Sequence, residues 1–209
     1  QGMVIKVPAQ IAFAKERTGS GVRDFTKSVS SQKRKELVLF LPFNASRIQN
    51  DTITGVVERL KKDKFLNMTL DFYSGAMMAI DSAKALGMNV NVRIYDSQES
   101  RNSTAALDII KNEDFSTTNA VIGPFYQVNV ERVAMALESK NIPVISPLSR
   151  EDGKGYTNLY QSTPLPDATK AAMLDYLQSK NGNIIAVVSP KKQSMRQYLK
   201  DFYEKVKIV

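Results

Sequence analysis

Four short apolar runs, each separated from the next by a stretch long enough for a helix, constrain this chain more than anything else in it. They fall at residues 37–43, 90–95, 119–125 and 142–146. Antiparallel neighbours need only a tight turn, whereas parallel strands need a long crossover, usually a helix. The first intervening stretch, residues 65–86, puts Leu66, Leu70, Tyr73, Met77, Ile80 and Ala83 at helical spacing, with Gly87 as its left-handed stop. Ser103 or Thr104 can cap a helix over 105–112, and Asn129 one running to about Lys140. Right-handed βαβ units follow, and with them an α/β fold: an open parallel sheet with helices on both faces.

The ends read differently. Residues 9–36 mix Pro, Gly, Ser, Gln and charge without apolar periodicity, as a basic linker does. Residues 44–64 are polar, an inserted loop or short helix. Residues 159–163 form a short extended segment, and Pro164 and Pro166 open a helix to about Ser179. A buried strand at 183–189, a helix at 193–206 and three strand-like residues at 207–209 come last. These suggest a second α/β lobe cut short, so the expected division is 1–8, linker 9–36, first lobe 37–163, and 164–209 as crossover and start of a second lobe.

Composition narrows the chemistry. The chain has no His and no Cys. That excludes Ser-His-Asp and Cys-His machinery, disulfides and Cys-ligated metals. No GxGxxG or GxxxxGK[ST] loop follows a strand, so phosphate-cradling chemistry lacks its motif. No cofactor and no metal site are expected. Met68, Met77 and Met78 read as core packing rather than a metal box, and Asp96 as a turn former rather than a cation ligand. The net charge of +8 is concentrated at the ends: 1–36 hold eight basic residues against three acidic, and 190–209 six against two. The body between is near neutral, so a nucleic-acid groove is not expected. No apolar run is long enough to span a membrane.

In an open parallel sheet ligands bind beyond the carboxyl ends of the strands. The loops there offer Asn44, Tyr126, Gln127, Ser149 and Arg150: amides, hydroxyls and one guanidinium able to hold a carboxylate in two places. This set binds a small polar ligand but contains no general base beside a nucleophile, so no enzyme is expected.

From Lys35 onward the succession of segments resembles type 1 periplasmic binding proteins of the leucine/isoleucine/valine branch. It runs LVLFLPF, LDFYSGAMMAIDSAKALG, VRIYDSQ, AVIGPFYQVNVERVAMALESKNIPVISPLS, NLYQSTPLPDATKAAMLDYL and NIIAVVSPKKQSMRQYLKDFYEKV. The resemblance implies two lobes closing on an amino acid or peptide-like ligand. It places ligand contacts at Gln127, Leu148 and Arg150, and at Ser194 in the second lobe. The family often carries Ser or Thr at the first-lobe positions and Tyr at the last, so Gln127, Arg150 and Ser194 depart from its pattern. Residues 2–8, GMVIKVP, resemble the closing strand of a LysM repeat. With the basic linker they are similar to bacterial cell-envelope proteins, common in Bacteroidetes, that join LysM repeats to such a domain. That implies a periplasmic or envelope location. It also implies an alternative role: a ligand-free scaffold that meets peptidoglycan or an envelope protein.

Overall fold

The computed structural model describes residues 33–50, 55–153, 155–180 and 183–209. The LysM-like residues 2–8 and nearly all of the expected linker lie outside them. The sheet begins with β1 (Lys35–Leu41), whose first two residues fall within the expected linker. It continues with β2 (Val90–Asp96), β3 (Ala120–Ile122), β4 (Val144–Ser146) and β5 (Leu159–Gln161). Spatial order is β2-β1-β3-β4-β5, and every neighbouring pair is parallel. The short extended segment of the sequence is therefore a fifth strand of the same sheet.

The side chains of β1 show why both faces are covered. Successive residues of a strand point to opposite faces. Val38 and Phe40 enter a core with Val121, Val144 and Phe115. That core is closed by α4 (Ala105–Asn112) and α5 (Gln127–Leu137) through Ala106, Val130, Val133, Ala134 and Leu137. Leu39 and Leu41 enter the opposite core with Ile80, Phe125, Phe72 and Met77, under α3 (Lys64–Ala85). A strand buried on both faces reads as an unbroken apolar run, as LVLFL does. Two short helices, α1 (Ala45–Asn50) and α2 (Val56–Lys62), occupy the polar insert before α3.

Several local expectations shift. Asp63 caps α3, its carboxylate accepting from the Phe65 and Leu66 amides at 3.1 and 2.9 Å. Ser103, not Thr104, accepts the Ala105 amide at the start of α4 (3.3 Å). Asn129 is not a cap: α5 begins at Gln127, and the Asn129 side-chain amide donates to the Ser100 carbonyl (2.9 Å). Of the three methionines read as core, Met77 packs in the second core, whereas Met68 is half-exposed and Met78 exposed. No helix among the described residues is long and apolar enough to cross a membrane.

The last segment forms a smaller cluster. Leu174 of α6 (Pro166–Ser179) and Leu199 of α7 (Gln193–Phe202), with Tyr203 and Val206 from the turn after α7, cluster beside a parallel pair, β6 (Ile185–Ala186) and β7 (Lys207–Ile208). Helix α7 stops four residues short of expectation because Tyr203 leaves helical backbone (φ −138, ψ 58). Its hydroxyl instead donates to the Asp175 carboxylate at 2.9 Å.

Candidate functional site

Strand order reverses around β1, whose neighbours are reached by crossovers leaving in opposite directions. Loops at the carboxyl edge diverge there and leave a crevice. Two carboxylates from the loop after β2 fix the loops beside it. Asp96 accepts the Asn44 and Ala45 amides (3.0 and 2.8 Å) and the Gln98 amide (3.0 Å). That is the turn-forming role expected of it, extended to the neighbouring strand's loop. Glu99 accepts the Phe125 and Tyr126 amides (2.5 and 2.9 Å) and is 3% exposed. Burial is the largest influence on this carboxyl and raises it to about 7, against the smaller lowering effect of the hydrogen bonds.

A hollow of about 470 Å³ opens between the loops after β3 and β4. Tyr126, Gln127, Ser149 and Arg150 all line it, with Leu148 and Glu151 beside them. Asn44, the fifth residue singled out in the sequence, is not on that wall. It is almost buried after β1 in left-handed backbone (φ 54), its amide tied to Asp96. Phe65 and Met68, from the start of α3, complete the lining. The Phe65 and Tyr126 rings are stacked, nearly parallel, with centroids 5.5 Å apart and an inclination of 15°.

Some of the polar groups are already engaged, and Arg150 is not. Gln127 is buried, its side-chain carbonyl accepting from the Ser146 hydroxyl and its amide donating to Glu131 (3.2 and 3.4 Å). Its role here is to join α5 to β4. The Ser149 hydroxyl accepts the Glu151 amide at 3.1 Å, and the Ser149 carbonyl accepts from the Thr163 hydroxyl. Arg150 is exposed and has no hydrogen bond or ion pair among the described residues. It stands between the hollow and a neighbouring one of about 440 Å³ floored by Thr163, Pro164, Pro166 and Met173. A further hollow, about 760 Å³, lies away from this edge, between the end of α6, the residues just before β6 and the end of α7.

Sequence reasoning missed Phe65, Glu99 and Glu151. Phe65 carries the only usable signal, an aromatic residue at the start of a helix whose apolar stripe is already complete without it. Nothing in the sequence separates Glu99 from an exposed loop acid.

A five-stranded parallel sheet of order 2-1-3-4-5, with its loops gathered at the carboxyl edge, defines an open α/β protein. The chain belongs to the periplasmic binding protein family, which residues 67–207 match. Its fold is similar to an ABC transporter substrate-binding protein from Desulfitobacterium hafniense. There the identity is 15% and the TM-score 0.51, over 85% of this chain and 49% of that one. A structure of an ABC transporter substrate-binding protein from the same organism in complex with Leu gives 14% and 0.50, over 85% and 50%. A branched-chain amino acid transporter substrate-binding protein, LivJ, from Streptococcus pneumoniae in complex with isoleucine gives 16% and 0.46, over 84% and 48%. This chain thus spans about half the length of these structures. No curated protein sequence matches it.

Proposed function

We propose that this chain is a non-enzymatic solute-binding module. It holds a small carboxylate, such as an amino acid or the terminus of a short peptide, beyond β3 and β4. A second lobe, begun by α6, β6 and α7, covers the ligand by hinge closure. Closure of this kind is a population shift between open and closed states.

One observation carries the reading: the Arg150 guanidinium lies without a partner among the described residues on the rim of a hollow walled largely by Phe65, Met68, Phe125, Tyr126 and Leu148. A guanidinium fork matches a carboxylate in two places. The stacked Phe65 and Tyr126 rings give an apolar body aromatic surface to pack on, and Glu151 on the same rim offers an acceptor for an ammonium group. Family membership supports a location outside the cytoplasmic membrane. Attachment to the envelope through residues 2–8 is the finer part of the same proposal.

The test is a thermal-shift screen of the full chain with L-leucine, L-isoleucine, L-phenylalanine and dipeptides, followed by calorimetry of any that bind. A ligand of the native state raises the melting temperature by linkage. Arg150→Ala is expected to weaken binding by roughly tenfold or more, the scale of a lost charge-assisted bond. Equal affinity in parent and variant removes Arg150 from the site. No shift with any compound favours the ligand-free scaffold instead.

A further inference from the structure

Glu99 touches no face of the hollow, yet it holds the backbone of a loop that forms one of its walls. Its two carboxylate oxygens divide the work, Oε1 accepting from Phe125 N and Oε2 from Tyr126 N. The Ser97 hydroxyl adds a longer contact to Oε1 at 3.4 Å. Tyr126 immediately precedes α5 in extended backbone, with no side-chain cap of its own. Its carbonyl accepts the Asn129 and Val130 amides of the first turn. The position of the Tyr126 ring on Phe65 therefore depends on a peptide pinned from behind by one carboxylate.

We propose that Glu99 is a positioning residue of the binding site, a proton-operated latch that fixes Tyr126 when ionised and releases it when protonated. This rests on the reading that the hollow is the ligand site. The chemistry follows from donor and acceptor counts. An ionised carboxylate is acceptor-only and satisfies both amides. Adding a proton converts one oxygen into a donor facing an N–H, so one of the two amide bonds is lost or displaced.

The surroundings leave the switch to Glu99 itself. In its own loop the charged residues are Asp96, committed to the Asn44 and Ala45 amides, and exposed Arg101. On α5 they are Glu131, which accepts from Gln127, and Arg132, which donates to the Ser103 carbonyl. At the head of α3, which reaches Phe125 through Phe65 and Phe72, they are Asp63 on the cap and exposed Lys64. The proton affinity of Glu99 is set by burial and hydrogen bonds rather than by any of these charges, which moves its titration to about neutrality. His is the side chain that ordinarily titrates there, and this chain has none.

The absence of Trp from the chain gives a clean reporter. Tyr126→Trp in the full chain, without ligand, is titrated from pH 5 to 9 by tryptophan emission. A single sigmoid with its midpoint near 7 is expected, and it should vanish when Glu99→Gln is added. A flat profile, or the same sigmoid with Gln at 99, overturns the proposal. A second measurement uses the unaltered chain: hydrogen exchange of the Phe125 and Tyr126 amides, corrected for intrinsic pH dependence. Protection should fall by about tenfold from pH 8 to pH 6, the scale of one lost bond to a charged acceptor; unchanged protection overturns the latch. Because neither readout uses a ligand, failure of the latch leaves the binding reading standing. Failure of the ligand screen leaves the latch intact as a property of the loop.

Discussion

The side-chain carbonyl of Gln127 accepts a hydrogen bond from the Ser146 hydroxyl at 3.2 Å, with both residues buried. This bond ties the first turn of α5 to the carboxyl end of β4, and so joins the two loops that flank the hollow. Gln127→Leu would take from the buried Ser146 hydroxyl its acceptor. An unsatisfied buried polar group costs about 1–3 kcal/mol. We expect a loss of that size in urea unfolding. In a double-mutant cycle, Ser146→Ala should cost clearly less in the Gln127→Leu background than in the parent. Additive losses would mean that the two side chains act separately.

Gly123, directly after β3, has φ of 90, and a β-carbon built there would run into the Phe40 carbonyl. Backbone in that region is open to glycine and strained for other residues. Gly123→Ala should therefore cost at least about 1–3 kcal/mol from backbone strain, before the clash with β1 is counted. Gly75→Ala is the control: it sits in mid-helix with nothing within 4 Å of the added carbon. It is expected to leave stability unchanged or raise it by up to about 1 kcal/mol. Equal effects at both positions, read by thermal or urea unfolding, would refute the argument.

What the sequence discloses here follows from what periodicity can carry. The run at 37–43 announces a strand buried on both faces, and Val38, Phe40, Leu39 and Leu41 fill two separate cores. The helix at 65–86 was legible because its apolar positions repeat every three to four residues. Phe115 was not, because it lies in a loop where no period applies; it is nonetheless fully buried, with the Arg93 guanidinium 5.3 Å from its ring centroid. At the site, position beyond a strand end was enough to single out Tyr126, Gln127, Ser149 and Arg150. Which way each side chain turns depends on tertiary partners. Gln127 faces inward to Ser146, and Arg150 stays outside. Asn44 shares its strand-end position, but Asp96 draws its amide to the other side of the edge.

Asp96 serves three backbone donors with one carboxylate, two of them from the loop after β1. Asp96→Ala should cost about 2–3 kcal/mol, the range for hydrogen bonds to a charged group and for donors left unpaired. Asp96→Asn keeps one acceptor oxygen but turns an NH₂ toward an amide, so it should recover less than half of that loss. Urea midpoints at pH 7 separate the two substitutions. An asparagine variant as stable as the parent would show that charge and acceptor number do not matter at this position.

Glu99 gives the stability of the fold a pH dependence of predictable sign. Burial raises its carboxyl from 4.5 to about 7 in the folded state, so the folded chain binds this proton more tightly than the unfolded chain does. Stability must then fall as pH rises from about 4.5 through about 7, and the contribution is constant above that. The gap corresponds to about 3 kcal/mol at most. Local and global effects have opposite signs here. Protonation frees an amide of the Tyr126 loop, but it also removes the cost of a buried charge, which is the larger quantity. Glu99→Gln cannot ionise, so its unfolding free energy should be nearly flat from pH 5 to pH 8 where the parent's declines. The variant should lie closest to the parent at pH 5, where the parent's carboxyl is also neutral, and be as stable or more stable at pH 8. The chain has no histidine, and parent and variant differ only at residue 99, so the difference between their profiles reports this one group. Parallel declines in parent and variant would place the titrating group elsewhere.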